Sequence, residues 1–228
     1  MIHNLPKVCS FNIVVTDVSC GEEHTVFVQG DGGYVYAMGS NNEGKLGTGN
    51  PEMRSCNVPT LVDGICNIKK VACGTSHTLA LSDDGQAYAW GQAFYGALGL
   101  DPNAEALRNK KGNSLDNCYS PQMLPAHAFN SEPVKNLEAG SRHSIFVTER
   151  NKVFGCGDAN QGQLGLGGDM KDRVMMPTLI TGLSNMYIRE VACGKYHTLF
   201  LTENGESRRR ELWACGANNF GQIGNNSN

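Results

Sequence analysis

A chain of 228 residues with 40% hydrophobic content is long enough to bury a sizeable core, and its net charge of −3 excludes the lysine and arginine excess that sequence-independent nucleic-acid binding needs. Twenty-eight glycines against 7% aromatics favour tight turns over long helices, an all-β balance. No run reaches the ~18 apolar residues of a membrane span, and the start, Met1 to Pro6, lacks the apolar stretch of a signal peptide.

In chain order, one unit recurs four times. It opens with Gly-x-x-His followed by Thr or Ser: Gly21 to His24, Gly74 to His77, Gly140 to His143 and Gly194 to His197. It closes with a loop of three spaced glycines, Gly39, Gly44 and Gly47, echoed by Gly91, Gly96 and Gly99, by Gly157, Gly162 and Gly165, and by Gly216, Gly221 and Gly224. A period of about 50 residues means that each unit is a supersecondary block that buries its apolar face only by stacking on its neighbours.

The second unit shows the strand order. Residues 68–73 read as a strand, Gly74 to Ser76 turn, residues 77–81 return, Asp83-Asp84-Gly85 forms a hairpin, and residues 86–90 make a third strand. Val58-Pro59-Thr60-Leu61-Val62 supplies a fourth strand, matched by the segments around Pro121 and Pro177. A proline there suits an outer edge, where a missing ladder donor costs little. Four short antiparallel strands per repeat describe a propeller blade. The fold expected is therefore all-β, a β-propeller in one domain over 1–228, with repeat signatures at about 14–49, 66–101, 134–167 and 186–224.

These motifs resemble the repeat family of the regulator of chromosome condensation. The resemblance runs from about Val14 to Gly224 and implies blades of a seven-bladed ring. Only four units stand here, so a partial or open propeller is expected, with self-association or completion of the ring by another chain or segment.

Several chemical signatures dissolve on inspection. Gly39 to Leu46 satisfies a phosphate-binding loop up to Lys45, but Leu46 replaces the magnesium-holding hydroxyl and no helix pattern follows. The histidines lie 53, 66 and 54 residues apart, one per blade, and are read as buried rings hydrogen-bonded within their own turns rather than as a metal site. Thr25, Thr78, Ser144 and Thr198 sit beside them, but adjacent strand residues point to opposite faces, so no nucleophile and base pair is expected. The nine cysteines include no Cys-x-x-Cys pair, and Cys20, Cys73, Cys193, Cys156 and Cys215 fill repeat slots read as packing positions, which fits a reducing compartment. A light-sensing branch of the family uses clustered tryptophans, whereas Trp90 and Trp213 are both read here as core residues beside a blade glycine. No catalytic residue, metal or cofactor is expected.

Function is expected on the rims, because blades are rigid frames and loops vary. The Gly-x-x-His turns and the glycine loops should share one rim, and the hairpins the other. Partner-binding candidates on the turn rim are Glu22, Glu23, Arg142, Lys195 and Tyr196, with Arg208, Arg209 and Arg210 at a hairpin tip opposite. The stretch from Gly99 to Pro121 spans 22 residues where Gly47 to Pro59 spans 12, so an insertion around Asn103 to Asn117 adds a polar loop containing Arg108 to Lys111. The resemblance implies a non-enzymatic interaction or regulatory scaffold with a protein partner. The alternative is guanine-nucleotide exchange on a small GTPase, which the founding member performs with aspartate and histidine in such turns. None of the eight matching residues here, Glu22, Glu23, Thr75, Ser76, Ser141, Arg142, Lys195 and Tyr196, is either. The expected setting is intracellular, cytoplasmic rather than nuclear, with a ciliary location open.

Overall fold

The computed structural model describes residues 13–107, 117–168, 172–204 and 208–224. Its strands form successive antiparallel sheets, each from one repeat. Blade 1 contains β1 (Val15–Cys20), β2 (His24–Gln29), β3 (Val35–Ser40) and β4 (Ser55–Leu61). Blade 2 contains β5 (Ile68–Cys73), β6 (His77–Ser82), β7 (Ala87–Gly91) and β8 (Cys118–Met123). Blade 3 contains β9 (Val134–Ala139), β10 (His143–Thr148), β11 (Val153–Asp158) and β12 (Arg173–Leu179), and blade 4 contains β13 (Tyr187–Cys193), β14 (His197–Glu203) and β15 (Arg210–Gly216). Helix is limited to short 3-10 turns among the described residues.

The fourth strand starts before its proline, at Ser55, Cys118 and Arg173, and its pairing with the third strand is broken by a register shift beside Gly39, Gly91 or Gly157. These glycines are required. At Gly91 φ is +104°, and a Cβ there would sit 2.4 Å from the Ser76 carbonyl oxygen. The polar loop Arg108 to Lys111, and Glu206 and Ser207 of the longer hairpin, lie outside the described residues.

The blades are joined by one repeated device, and it corrects the expectation that each histidine bonds within its own turn. His24 Nε2 lies 3.0 Å from Thr78 Oγ1, His77 Nε2 3.0 Å from Ser144 Oγ, and His143 Nε2 2.9 Å from Thr198 Oγ1, so every partner belongs to the next blade. Each hydroxyl in turn donates to a carbonyl in the previous blade's glycine loop: Thr78 to Lys45 at 2.8 Å, Ser144 to Ala97 at 2.6 Å and Thr198 to Gln163 at 2.7 Å. With its proton committed to the carbonyl, the hydroxyl accepts from Nε2–H, which fixes the neutral tautomer. The unprotonated Nδ1 then lies over the turn glycine, and Nδ1 of His24 and His143 has no hydrogen-bond partner. A Cβ on Gly74 would stand 2.2 Å from His77 Cε1 and 2.6 Å from the Gly140 carbonyl oxygen, so the ring and the next blade together demand glycine.

The slot before the third-strand glycine shares this work. Trp90 Nε1 donates to the Lys45 carbonyl at 3.0 Å, and Cys215 Sγ approaches that of Gln163 at 3.3 Å. Trp213 stands two residues earlier than the slot of Trp90. Its register partner is Phe200, as Phe27 is of Tyr36. It is 39% exposed rather than in the core, and among the described residues no further blade covers this face of blade 4. No disulfide joins the eight described cysteines.

Candidate functional site on the turn rim

Each glycine loop starts against its own blade's turn, as the sequence predicts. Ser40, Gln92, Asp158 and Ala217 donate their backbone N–H to the carbonyls of Glu23, Ser76, Arg142 and Tyr196, all at 2.8 Å. Turns and loops therefore occupy one rim. The four turns line a shallow depression of about 380 Å³, with Glu22, Thr75, Ser141 and Lys195 around it. Adjacent turns are tied together where blades 2 and 3 meet: Thr75 N–H donates to the Ser141 carbonyl at 3.0 Å, and the two hydroxyls lie 2.8 Å apart.

Below the rim the inner strands are cross-linked by side chains. Asp17 and Ser19 of β1 accept the backbone N–H groups of Val71 and Cys73 at 2.7 and 2.9 Å. Lys70 reaches Asn136 at 2.7 Å and Glu138 at 2.5 Å. These bonds hold the turns at fixed spacing.

The tip residues run from acidic to basic along the arc: Glu22-Glu23, then Thr75-Ser76, then Ser141-Arg142, then Lys195-Tyr196. Glu22, Glu23 and Lys195 are exposed, whereas Arg142 and Tyr196 are half-buried. Glu23 faces the buried Lys45 ammonium at 3.5 Å, which occupies the cation slot of the loop that resembles a phosphate binder. That loop leads into β4 and not into a helix.

Arg142 owes its partial burial to a neighbour that sequence reasoning missed. Its guanidinium lies 4.2 Å from the centroid of the Tyr95 ring, in the glycine loop of blade 2. Tyr95 packs edge-on against Phe94, and Arg173 of β12 lies over Phe94 while donating to its carbonyl at 2.7 Å. Phe94 remains half-exposed. The available signal was two adjacent aromatics in a loop whose counterparts are Asn42-Glu43, Asn160-Gln161 and Asn219-Phe220.

The arginine tip is on the opposite rim, between β14 and β15. Arg208, Arg209 and Arg210 are exposed, and Arg210 Nε is 3.8 Å from Glu203, whose carboxylate is held more closely by Arg189 at 2.6 Å. Turn and arginine candidates therefore form two separate surfaces. Among the described residues no cluster of histidine, cysteine, aspartate or glutamate could hold a metal ion, and no helix is long and apolar enough to cross a membrane.

Comparison with known proteins agrees with this architecture. A family model described as the RCC1-like domain matches residues 3–228. The ultraviolet-B receptor UVR8 of Arabidopsis thaliana is 32% identical over 210 residues, covering 92% of this chain and 43% of the receptor. The human probable E3 ubiquitin-protein ligase HERC4 is 37% identical over 264 residues, covering 93% of this chain and 23% of the ligase. Among solved structures, yeast Prp20p superposes with a TM-score of 0.71 at 26% identity, covering 93% of this chain and 45% of that one, and its structure is described together with its binding properties to Gsp1p and histones. Human WBSCR16 superposes with a TM-score of 0.76 at 20% identity over 96% of this chain and 52% of that one, a likeness of fold. The chain thus spans about half or less of the length of these relatives.

Proposed function

The chain belongs to the RCC1-like domain family, and on that premise we propose that it is a non-enzymatic interaction module that binds a protein partner along the turn rim. The observation that carries this reading is the Arg142–Tyr95–Phe94–Arg173 stack beside the turn depression. Arginine and aromatic side chains on a rigid frame are the composition of interface hot spots, and the acid-to-base gradient orients a partner of complementary charge. Glu22 and Glu23 would face basic groups of the partner, and Arg142 and Lys195 acidic ones. Tyr196 adds apolar area beside Lys195, whose ammonium lies 5.2 Å from its ring centroid.

The test is capture of partners from lysate, comparing Arg142→Glu with Lys195→Glu against neutralisation of Arg208, Arg209 and Arg210. Partners lost only in the turn variant support the reading. Partners lost only in the arginine-tip variant would move the functional surface to the hairpin rim.

Guanine-nucleotide exchange on a small GTPase is the second reading, favoured by the described binding of Prp20p to Gsp1p. The turns here offer glutamates, hydroxyls and cations in place of aspartate and histidine, so the exchange reading stands second. Accelerated release of labelled GDP from a panel of small GTPases would place it first.

A further inference from the structure

The first strand of each blade is bulged near its start, at the end that lies on the hairpin rim. The ladder passes over one residue there, so Thr16, Lys69, Lys135 and Arg189 stand at one repeat position. A bulge re-aims the extra side chain. Three of the four are cations, and at the joint between blades 3 and 4 two of them converge. Lys135 of β9 and Arg189 of β13 lie 4.7 and 5.0 Å from the centroid of the Tyr187 ring. Tyr187 sets this joint apart, since Asn67 and Pro133 hold its position in blades 2 and 3. Both walls of the joint are described, and His143 closes it on Thr198.

Here β9, β10 and β13 enclose a pocket of about 300 Å³, lined by Lys135, Asn136, Val147, Tyr187, Ile188 and Arg189. Its polar side chains have donors left and acceptors spent. Lys135 Nζ donates to Asn151 Oδ1 and, at 3.5 Å, to the Ile188 carbonyl, which leaves a third N–H. Asn136 faces the Lys70 ammonium at 2.7 Å, and because an ammonium only donates, the facing atom is Oδ1 and the amide NH2 is what remains. Arg189 spends Nε and one terminal nitrogen on Glu203 at 2.8 and 2.6 Å, so the other terminal nitrogen has no partner among the described residues.

Charge decides what such donors would hold. Glu203 neutralises Arg189, whereas both hydrogen-bond acceptors of Lys135 are neutral. Burial holds the Lys135 ammonium below its ordinary pKa, against the pull of Glu149 and with a further push from Arg189. No carboxylate lines the pocket among the described residues. One uncompensated positive charge matches a carboxylate better than a phosphate dianion, and a hydrogen bond from a cation to a carboxylate is stronger than one between neutral groups.

We propose that this pocket binds a carboxylate, supplied by a glutamate or aspartate side chain of a protein partner that docks on the hairpin rim. The carboxylate takes donors from Lys135, Arg189 and Asn136, and its methylene stem rests against Tyr187. The pocket is on the rim opposite the turn depression, so this proposal and the proposed function can fail separately.

Lysine acetylation of the 228-residue chain, read by mass spectrometry, tests it without any substitution. A capped hexaglutamate peptide should protect Lys135 but not Lys69, its counterpart in blade 2, and capped hexaglutamine should protect neither. Fluorescence anisotropy of the labelled hexaglutamate then compares variants, with circular dichroism as the check on folding. Lys135→Gln and Tyr187→Leu should each weaken binding about fivefold or more, whereas Lys135→Arg should retain it. Neutralising Arg208, Arg209 and Arg210 should leave the peptide bound. Equal protection of Lys69 and Lys135, or a larger loss in the arginine-tip variant than in Lys135→Gln, would overturn the site. Displacement of the peptide by inorganic phosphate at a lower concentration than by acetate would overturn the carboxylate, and acetate binding as tightly as the peptide would overturn a protein partner as its source.

Discussion

His77 and Ser144 are 67 residues apart in sequence and on neighbouring blades, yet Nε2 and Oγ lie 3.0 Å apart, and the Ser144 hydroxyl donates its own hydrogen bond to the Ala97 carbonyl at 2.6 Å. Three segments from two blades thus meet at one buried hydroxyl. Removing it leaves the imidazole N–H without a partner, a desolvation cost of about 1–3 kcal/mol, and leaves the carbonyl only the weak Cys156 Sγ contact at 3.7 Å.

Ser144→Ala should therefore destabilise the chain by about 2 kcal/mol or more in urea unfolding, and His77→Ala by at least as much because it also opens a cavity. His197→Ala should cost less than about 0.5 kcal/mol, since that ring meets no hydroxyl among the described residues. Equal losses at His77 and His197 would contradict the joint as the source of stability.

The same rings make stability depend on acid. Burial, aided by the Lys45 charge, lowers the His24 pKa from 6.5 to about 4; burial, aided by His143 and His24, lowers that of His77 to about 3; burial, aided by His197, lowers that of His143 to about 4. These groups stay neutral when folded but bind protons when unfolded, so their contribution is complete above pH 6.5 and is lost as pH falls toward 4. Each should remove up to about 1.4 kcal/mol per pH unit in that window. Urea midpoints between pH 7 and 5 should fall steeply in the parent chain and less so in His143→Gln. A flat profile would contradict the buried neutral rings.

Two glycine substitutions separate steric demand from mere turn preference. Gly74→Ala drives a methyl into His77 and the Gly140 carbonyl and should cost about 3 kcal/mol or more, in the range of strongly disruptive core changes. Gly182→Ala, in the 3-10 turn Thr181–Leu183, meets nothing within 4 Å and should stay within about 0.5 kcal/mol. Thermal unfolding of both variants checks the contrast.

On the rim, Tyr95→Ala removes the surface on which Arg142 rests. It should weaken partner binding by about 1 kcal/mol or more while leaving thermal stability within about 0.5 kcal/mol. Calorimetric titration with a captured partner reads the first quantity and scanning calorimetry the second. Unchanged affinity would remove the stack from the proposed contact surface.

Sequence alone determined the repeat, the order of strands within it, the hairpin positions, the edge prolines and the sharing of one rim by turns and loops. All of these are local, because strand alternation and positive-φ glycines act over a few residues. Tertiary structure alone decided where the histidines bond, why Gly74 cannot carry a Cβ, how Arg142 comes to rest on Tyr95, and that Trp213 lies outside the core. The first three depend on the blade standing alongside, which brings together groups more than 45 residues apart in the chain. The periodicity says that blades must stack, but only their juxtaposition says which side chain meets which.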